Sequence, residues 1–224
     1  MPGHNIITIG TSVGGVEALV KLVRQLPCDL PAAVFVVLHI PAQGASLLPE
    51  ILNRWGELKA MHATDNMEIQ QGYIYVAPPD HHLLLEQGHM HIVRGPKENH
   101  YRPSVDALFR SAAITYGPPV VGVVLTGALD DGTAGLLAIK QCGGTAVVQD
   151  PDNAFCPNMP ANALAHVMVD YCVPLSEMGA LLTRLAREPV KAKKQTPSSS
   201  QADVFDELLL KQAPEVDASE PSLD

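Results

Sequence analysis

Three residues have the types that acyl transfer needs: Ser12, His39 and Asp131. A serine hydroxyl is a poor nucleophile at neutral pH and needs a base within hydrogen-bond reach. An imidazole suits that role because its unperturbed pKa lies near 6.5. A carboxylate on the imidazole's other nitrogen fixes the tautomer and stabilises the imidazolium. Each of the three also has an ordinary use. Ser12 could cap the helix that follows it, His39 could bond a loop carbonyl, and Asp131 could cap the helix after Gly132. What sets them apart together is position, since each follows a segment that reads as a buried strand.

Asn5-Ile6-Ile7-Thr8-Ile9 is short, apolar and β-branched, as buried strands are. It runs into Gly10-Thr11-Ser12-Val13-Gly14-Gly15, whose glycines take backbone angles other residues resist. Val16, Leu19, Val20, Val23 and Leu26 then recur at helical spacing. Ala33 to Leu38 is a continuous apolar run ending at His39-Ile40-Pro41, and a helix is expected from about Ser46 to Trp55, with Ser46 as cap. Val120 to Leu125 repeats the pattern and enters Thr126-Gly127-Ala128-Leu129-Asp130-Asp131-Gly132, which opens a helix to about Cys142. Thr145 to Gln149 and Tyr171 to Val173 read as further strands. Short helices are expected at Ala161–Ala165 and Ser176–Arg187. Continuous apolar strands alternating with helices predict an α/β fold, a doubly wound three-layer sandwich with a mostly parallel sheet. Parallel strands would bring Ser12, His39 and Asp131 to one carboxyl edge.

The middle of the chain differs. Gly72 to Pro78 is strand-like, and His82–Glu86 and His89–Val93 flank a Gln87-Gly88 turn, predicting an antiparallel β-hairpin near a sheet edge. His81, His82, His89 and His91 suggest a metal, but hairpin alternation accounts for their spacing equally well and no acidic or cysteine ligands converge on them. No metal and no organic cofactor are expected. A polar loop, Gly95 to Pro103, leads into a helix from Ser104 to Ala113.

The formal net charge of −9 argues against nucleic acid as a partner, which calls for a basic stripe. No apolar run nears the roughly 20 residues that span a bilayer, and no signal-peptide pattern opens the chain. A cytoplasmic protein without membrane insertion is expected. Cys28, Cys142, Cys156 and Cys172 show no CxxC pair and read as small buried hydrophobes. A dinucleotide fold would want GxGxxG and an acidic residue ending the second strand, where Ser12 and His39 stand instead. Residues 1–187 read as the folded domain. Residues 188–224 read as a flexible tail, basic, then Ser/Thr/Pro-rich, then acidic, with a short helix at 203–211 that could engage a partner.

Five motifs together resemble one family. They are Ile9 to Gly15; Leu38-His39-Ile40-Pro41; Arg102-Pro103-Ser104-Val105-Asp106; Leu125-Thr126-Gly127 with Asp131-Gly132; and Gln149-Asp150-Pro151 with Met159-Pro160. In this order they are similar to the catalytic domain of chemotaxis protein-glutamate methylesterases, the CheB family, over roughly Ile6 to Leu185. The resemblance implies Ser12 as nucleophile, His39 as general base and then acid, and Asp131 as orienting carboxylate. It makes the backbone N–H groups near Val13 and Ala128 the oxyanion hole. It implies hydrolysis of glutamyl methyl esters on a methylated chemoreceptor or similar signalling protein, and deamidation of receptor glutamines. The family's usual threonine after the nucleophile is Val13 here, and its usual methionine is Ala128. The chain is expected to stand alone, without the family's receiver domain. Two alternatives stay open: a non-catalytic or weakly catalytic regulatory module in a signalling complex, and a hydrolase for another ester.

Overall fold

The computed structural model describes residues 5–41, 43 and 46–190. The first half runs β1 (Ile6–Thr11), α1 (Gly15–Val23), β2 (Ala33–Leu38), α2 (Leu48–Trp55), β3 (Lys59–His62), β4 (Met67–Glu68), β5 (Tyr73–Val76), β6 (His82–Glu86) and β7 (His89–Val93). The second half runs α3 (Val105–Tyr116), β8 (Val120–Val124), α4 (Thr133–Gln141), β9 (Thr145–Gln149), α5 (Asn158–His166), β10 (Tyr171–Val173) and α6 (Leu175–Arg187). Seven strands make a sheet in the order β10-β9-β8-β1-β2-β5-β3, and every pairing in it is parallel.

The continuous apolar runs have the reason expected for them: β1 and β2 are buried on both faces along their whole length. Alternation then divides each strand between two cores. Ile7, Ile9, Val34, Val36, Val121 and Val123 pack with α1, α2 and α6. Ile6, Phe35, Val37, Val120 and Val124 pack with α3, α4 and α5. The sheet is thus the middle layer of three, with β1 at its centre.

The chain leaves β1 toward β2 on one side and returns through β8 on the other. A doubly wound sheet opens its crevice at such a switch, at the carboxyl ends of the strands. Backbone bonds fix the register there. Leu125 N donates to Gly10 O (3.0 Å), Ser12 N to Thr126 O (3.1 Å) and His39 N to Thr11 O (3.1 Å). Three strand ends therefore lie side by side.

Several expectations need correction. The hairpin β6–β7 does not lie at the edge of the main sheet; with β4 it makes a separate three-stranded antiparallel sheet. It sits against α3, where Leu85 N donates to Ser111 Oγ and Thr115 Oγ1 donates to Leu85 O. β5 is instead an inner parallel strand between β2 and β3. α2 begins at Leu48, and Ser46 Oγ accepts from Leu48 N only at 3.4 Å. None of the four free cysteines is buried: Cys28 and Cys172 are exposed, while Cys142 and Cys156 are half-buried. They stand in loops, at a helix end and on the edge strand β10, and of the four only Cys142 packs against a core, at the rim of the one beneath α3 and α4. The helix expected at 203–211 lies outside the described residues. No helix among the described residues is long and apolar enough to cross a membrane.

Leu22 is wholly buried between α1 and the sheet. Leu22→Ala should cost about 2–5 kcal/mol in urea unfolding followed by circular dichroism. A loss under about 1 kcal/mol would contradict this packing.

Candidate active site

The turn that carries Ser12 is built by glycine. Gly14 has φ 77°, in the left-handed region, and forms the N-cap of α1 without a side-chain cap bond. The capping use of Ser12 is thereby excluded: its hydroxyl makes no hydrogen bond to any described residue, and only its carbonyl accepts, from Gly15 N at 2.9 Å. Ser12, His39, Ile40, Pro41, Lys97, His100, Tyr101 and Arg102 line one cleft of about 360 Å³. The N–H groups of Val13 and Ala128 have no acceptor among the described residues.

His39 Nε2 and Asp131 Oδ2 are 2.7 Å apart, with both side chains almost wholly buried. Burial alone would push the Asp131 carboxyl up. The hydrogen bond and charge of His39, with the bonds from Val105 N–H and Asn99, outweigh it and hold the carboxyl below its ordinary value. Asp131 is therefore a carboxylate and can only accept. The shared proton must sit on His39 Nε2, which leaves Nδ1 as the basic nitrogen. Nδ1 is buried and has no partner among the described residues. No bond joins Ser12 to His39 in this structure, but both side chains border the same cleft and both atoms are free to form one. Catalytic hydrogen bonds commonly tighten only when substrate is bound.

Asp131 accepts five hydrogen bonds. Its Oδ2 takes His39 Nε2 and Val105 N (2.7 Å); its Oδ1 takes Asn99 Nδ2 (2.8 Å), Ser104 Oγ (2.9 Å) and Asp106 N (3.1 Å). Asp131 thus caps α3, not the helix that follows it. That helix, α4, is capped by Asp106, whose Oδ1 accepts from Gly132 N (3.0 Å) and Gly135 N (2.6 Å). Each carboxylate caps the helix that the other stands in or beside. Asn99 joins them, donating to Asp106 Oδ2 at 2.7 Å as well as to Asp131. Burial, with the Asp131 charge beside it, raises Asp106 from 3.8 to about 6.

The loop before α3 completes the site. Asn99 and His100 are both left-handed, at φ 49° and 71°. Tyr101 lies flat on His39, with ring centroids 3.6 Å apart and planes within 8°. Arg102 anchors the loop on Asp80 (2.6 Å) and Gly95 O (2.6 Å). Its bond holds the Asp80 carboxyl below the usual range. Buried His82 accepts from Ser104 N through Nδ1 (3.2 Å) and donates from Nε2 to Pro96 O (2.9 Å). Burial lowers its pKa and favours this neutral form.

The structure brings together Ser12, His39 and Asp131, and sets Val13 and Ala128 beside them in the chain. Sequence reasoning did not single out Asn99, Tyr101, Asp106 or His82 for this site. The one signal was the polar loop leading into the Arg102-Pro103-Ser104-Val105-Asp106 motif.

A doubly wound parallel sheet carrying a serine turn beside a buried histidine–carboxylate pair is the arrangement of an α/β serine hydrolase. The chain belongs to the CheB methylesterase family, whose family model matches residues 7–182. It is 38% identical over 183 residues to a Leptospira interrogans protein, covering 81% of this chain and 95% of that one. It is 34% identical to the Methanosarcina mazei protein named protein-glutamate methylesterase/protein-glutamine glutaminase 2 (82% of this chain). It is 37% identical to the Myxococcus xanthus protein named protein-glutamate methylesterase/protein-glutamine glutaminase 5 (82% of this chain). It spans 52% and 54% of those two relatives. The crystal structure of the Thermotoga maritima CheB methylesterase catalytic domain superposes with a TM-score of 0.77 at 32% identity, covering 81% of this chain and 98% of that one.

Asp106 yields a pH test. Its pKa is raised on folding, so its contribution is full below about pH 4 and is lost as pH rises through about 6. A rise of that size corresponds to about 3 kcal/mol. Asp106→Asn removes the titration. Relative to the native chain, the variant should gain roughly 2 kcal/mol between pH 4 and pH 7 in urea unfolding. Stability curves that stay parallel across that range would refute the assignment.

Proposed function

We propose that this chain is a serine hydrolase that removes methyl esters from glutamate side chains of a methylated chemoreceptor or similar signalling protein. The observation that carries the reading is the buried His39–Asp131 pair, whose histidine lines the same cleft as Ser12 and has no partner for Nδ1 among the described residues. Ser12 Oγ attacks the ester carbonyl while His39 Nδ1 takes its proton. Asp131 stabilises the resulting imidazolium through Nε2. The Val13 and Ala128 N–H groups, without an acceptor among the described residues, take the oxyanion. The imidazolium then protonates the leaving methoxide, and methanol departs from an acyl-serine. Water, deprotonated by His39, attacks this ester and releases the free glutamate and Ser12. A glutamine side chain passes through the same acyl-serine with ammonia as leaving group, in keeping with the double names of the relatives. Every proton moves between groups of this chain, the substrate and the attacking water.

The test is methanol release from a radiolabelled methylated chemoreceptor. Ser12→Ala should lower the rate at least ~10³-fold with an unchanged circular dichroism spectrum. Background-level release by both proteins sinks the reading.

A further inference from the structure

Beside the nucleophile turn, three apolar side chains stand in solvent: Val13 at 46%, Leu129 at 52% and Phe155 at 80% exposure. None of them lines the cleft that holds Ser12 and His39. Phe155 does not hang on a loose segment. Its neighbour Cys156 donates from N to Thr126 Oγ1 (2.8 Å) and accepts at O from Gly127 N (3.0 Å). Thr126 Oγ1 in turn donates to Val13 O (2.9 Å), so one hydroxyl ties the Phe155 loop to the nucleophile turn. Phe155 lies over that turn: a Cβ added to Gly14 would meet Phe155 Cβ at 2.9 Å. Leu129 is held outward in a second way. Its φ is 65°, a region bulky residues resist, and Asn162 Nδ2 fixes its carbonyl at 2.9 Å.

Exposed apolar groups gathered beside a cleft can serve as a contact surface. The occupant follows from distance. The carbonyl carbon of a glutamyl side chain stands three carbon–carbon bonds from its Cα. The backbone carrying it must therefore pass close over Ser12 and across the residues around it. We infer that Val13, Leu129 and Phe155 form an apolar rim that grips the polypeptide segment flanking the esterified glutamate, so that the chain selects protein esters over free ones. This rests on the hydrolase reading above. The cleft itself has a mixed lining, with Lys97, His100 and Arg102 beside Ile40, Pro41 and Tyr101. The segment that fits therefore carries apolar side chains next to the esterified glutamate.

The experiment compares kcat/KM on a methylated chemoreceptor signalling fragment with kcat/KM on N-acetylglutamate γ-methyl ester. Phe155→Ser should lower the protein-to-small-ester ratio at least tenfold, chiefly through KM on the fragment. Leu129→Asn, which keeps a residue tolerant of the left-handed region, should lower it in the same direction. An unchanged ratio in both variants overturns the proposal, whether the two activities hold or fall together. So does a Phe155→Ser variant that turns a dimer into a monomer at an unchanged ratio, since the rim is then a contact between copies. A native chain inactive on both substrates overturns the hydrolase reading and the rim with it. A native chain active on both, with unaltered ratios in the variants, overturns the rim alone.

Discussion

Asp131 and Asp106 are buried side by side, and each accepts backbone N–H groups from the first turn of the other's helix. Helix N-termini carry unsatisfied donors and partial positive charge, which a buried carboxylate can answer. The exchange fastens α3 to α4 at the point where both meet the sheet edge. Asn99 then bridges the two carboxylates and ties the loop above them into the same network. Remove either acid and two helix starts, one loop and the histidine's partner lose their reference point together.

The chemistry depends on this clamp in a specific way. A histidine can serve as base only if the proton sits on the right nitrogen. Asp131 is kept ionised by five donors despite its burial, so it accepts from Nε2 and leaves Nδ1 basic. Tyr101 holds the ring from its flat face, and that residue is delivered by the loop Asn99 anchors. Two neighbouring buried acids repel, and the cost falls on Asp106, which is raised to about 6 while Asp131 stays low. The carboxylate held low is thus the one that touches the histidine.

The sheet supplies what the clamp cannot, the approach of Ser12 to His39. These residues end adjacent parallel strands whose register is fixed by β1–β2 pairing from Ile6 with Ala33 to Thr11 with Leu38. A slip of one residue would turn either side chain to the opposite face. The two cores, one on each face, forbid that slip because each strand residue has a place in one of them. Packing far from the cleft therefore sets geometry within it.

Much of this was legible in the chain itself. Apolar runs without alternation suit strands covered on both faces, so β1, β2, β8 and β9 and a mostly parallel sheet could be expected, while the strand order could not. Glycine-rich turns after β1 and β8 marked Ser12 and Asp131, because few other residues make such turns. The edge strand β3, Lys59-Ala60-Met61-His62, carries no β-branched run and left no signal. The separate small sheet was also hidden, since a hairpin's pattern is the same whichever sheet it joins. Sequence alone determined which residue types could do the chemistry and that they end strands. Only the tertiary structure decided which acid caps which helix, which nitrogen of His39 is basic, and that Asn99, Tyr101 and His82 stand behind the site. Those facts are hydrogen bonds and ring contacts between segments distant in sequence, and only the packed sheet brings them within reach.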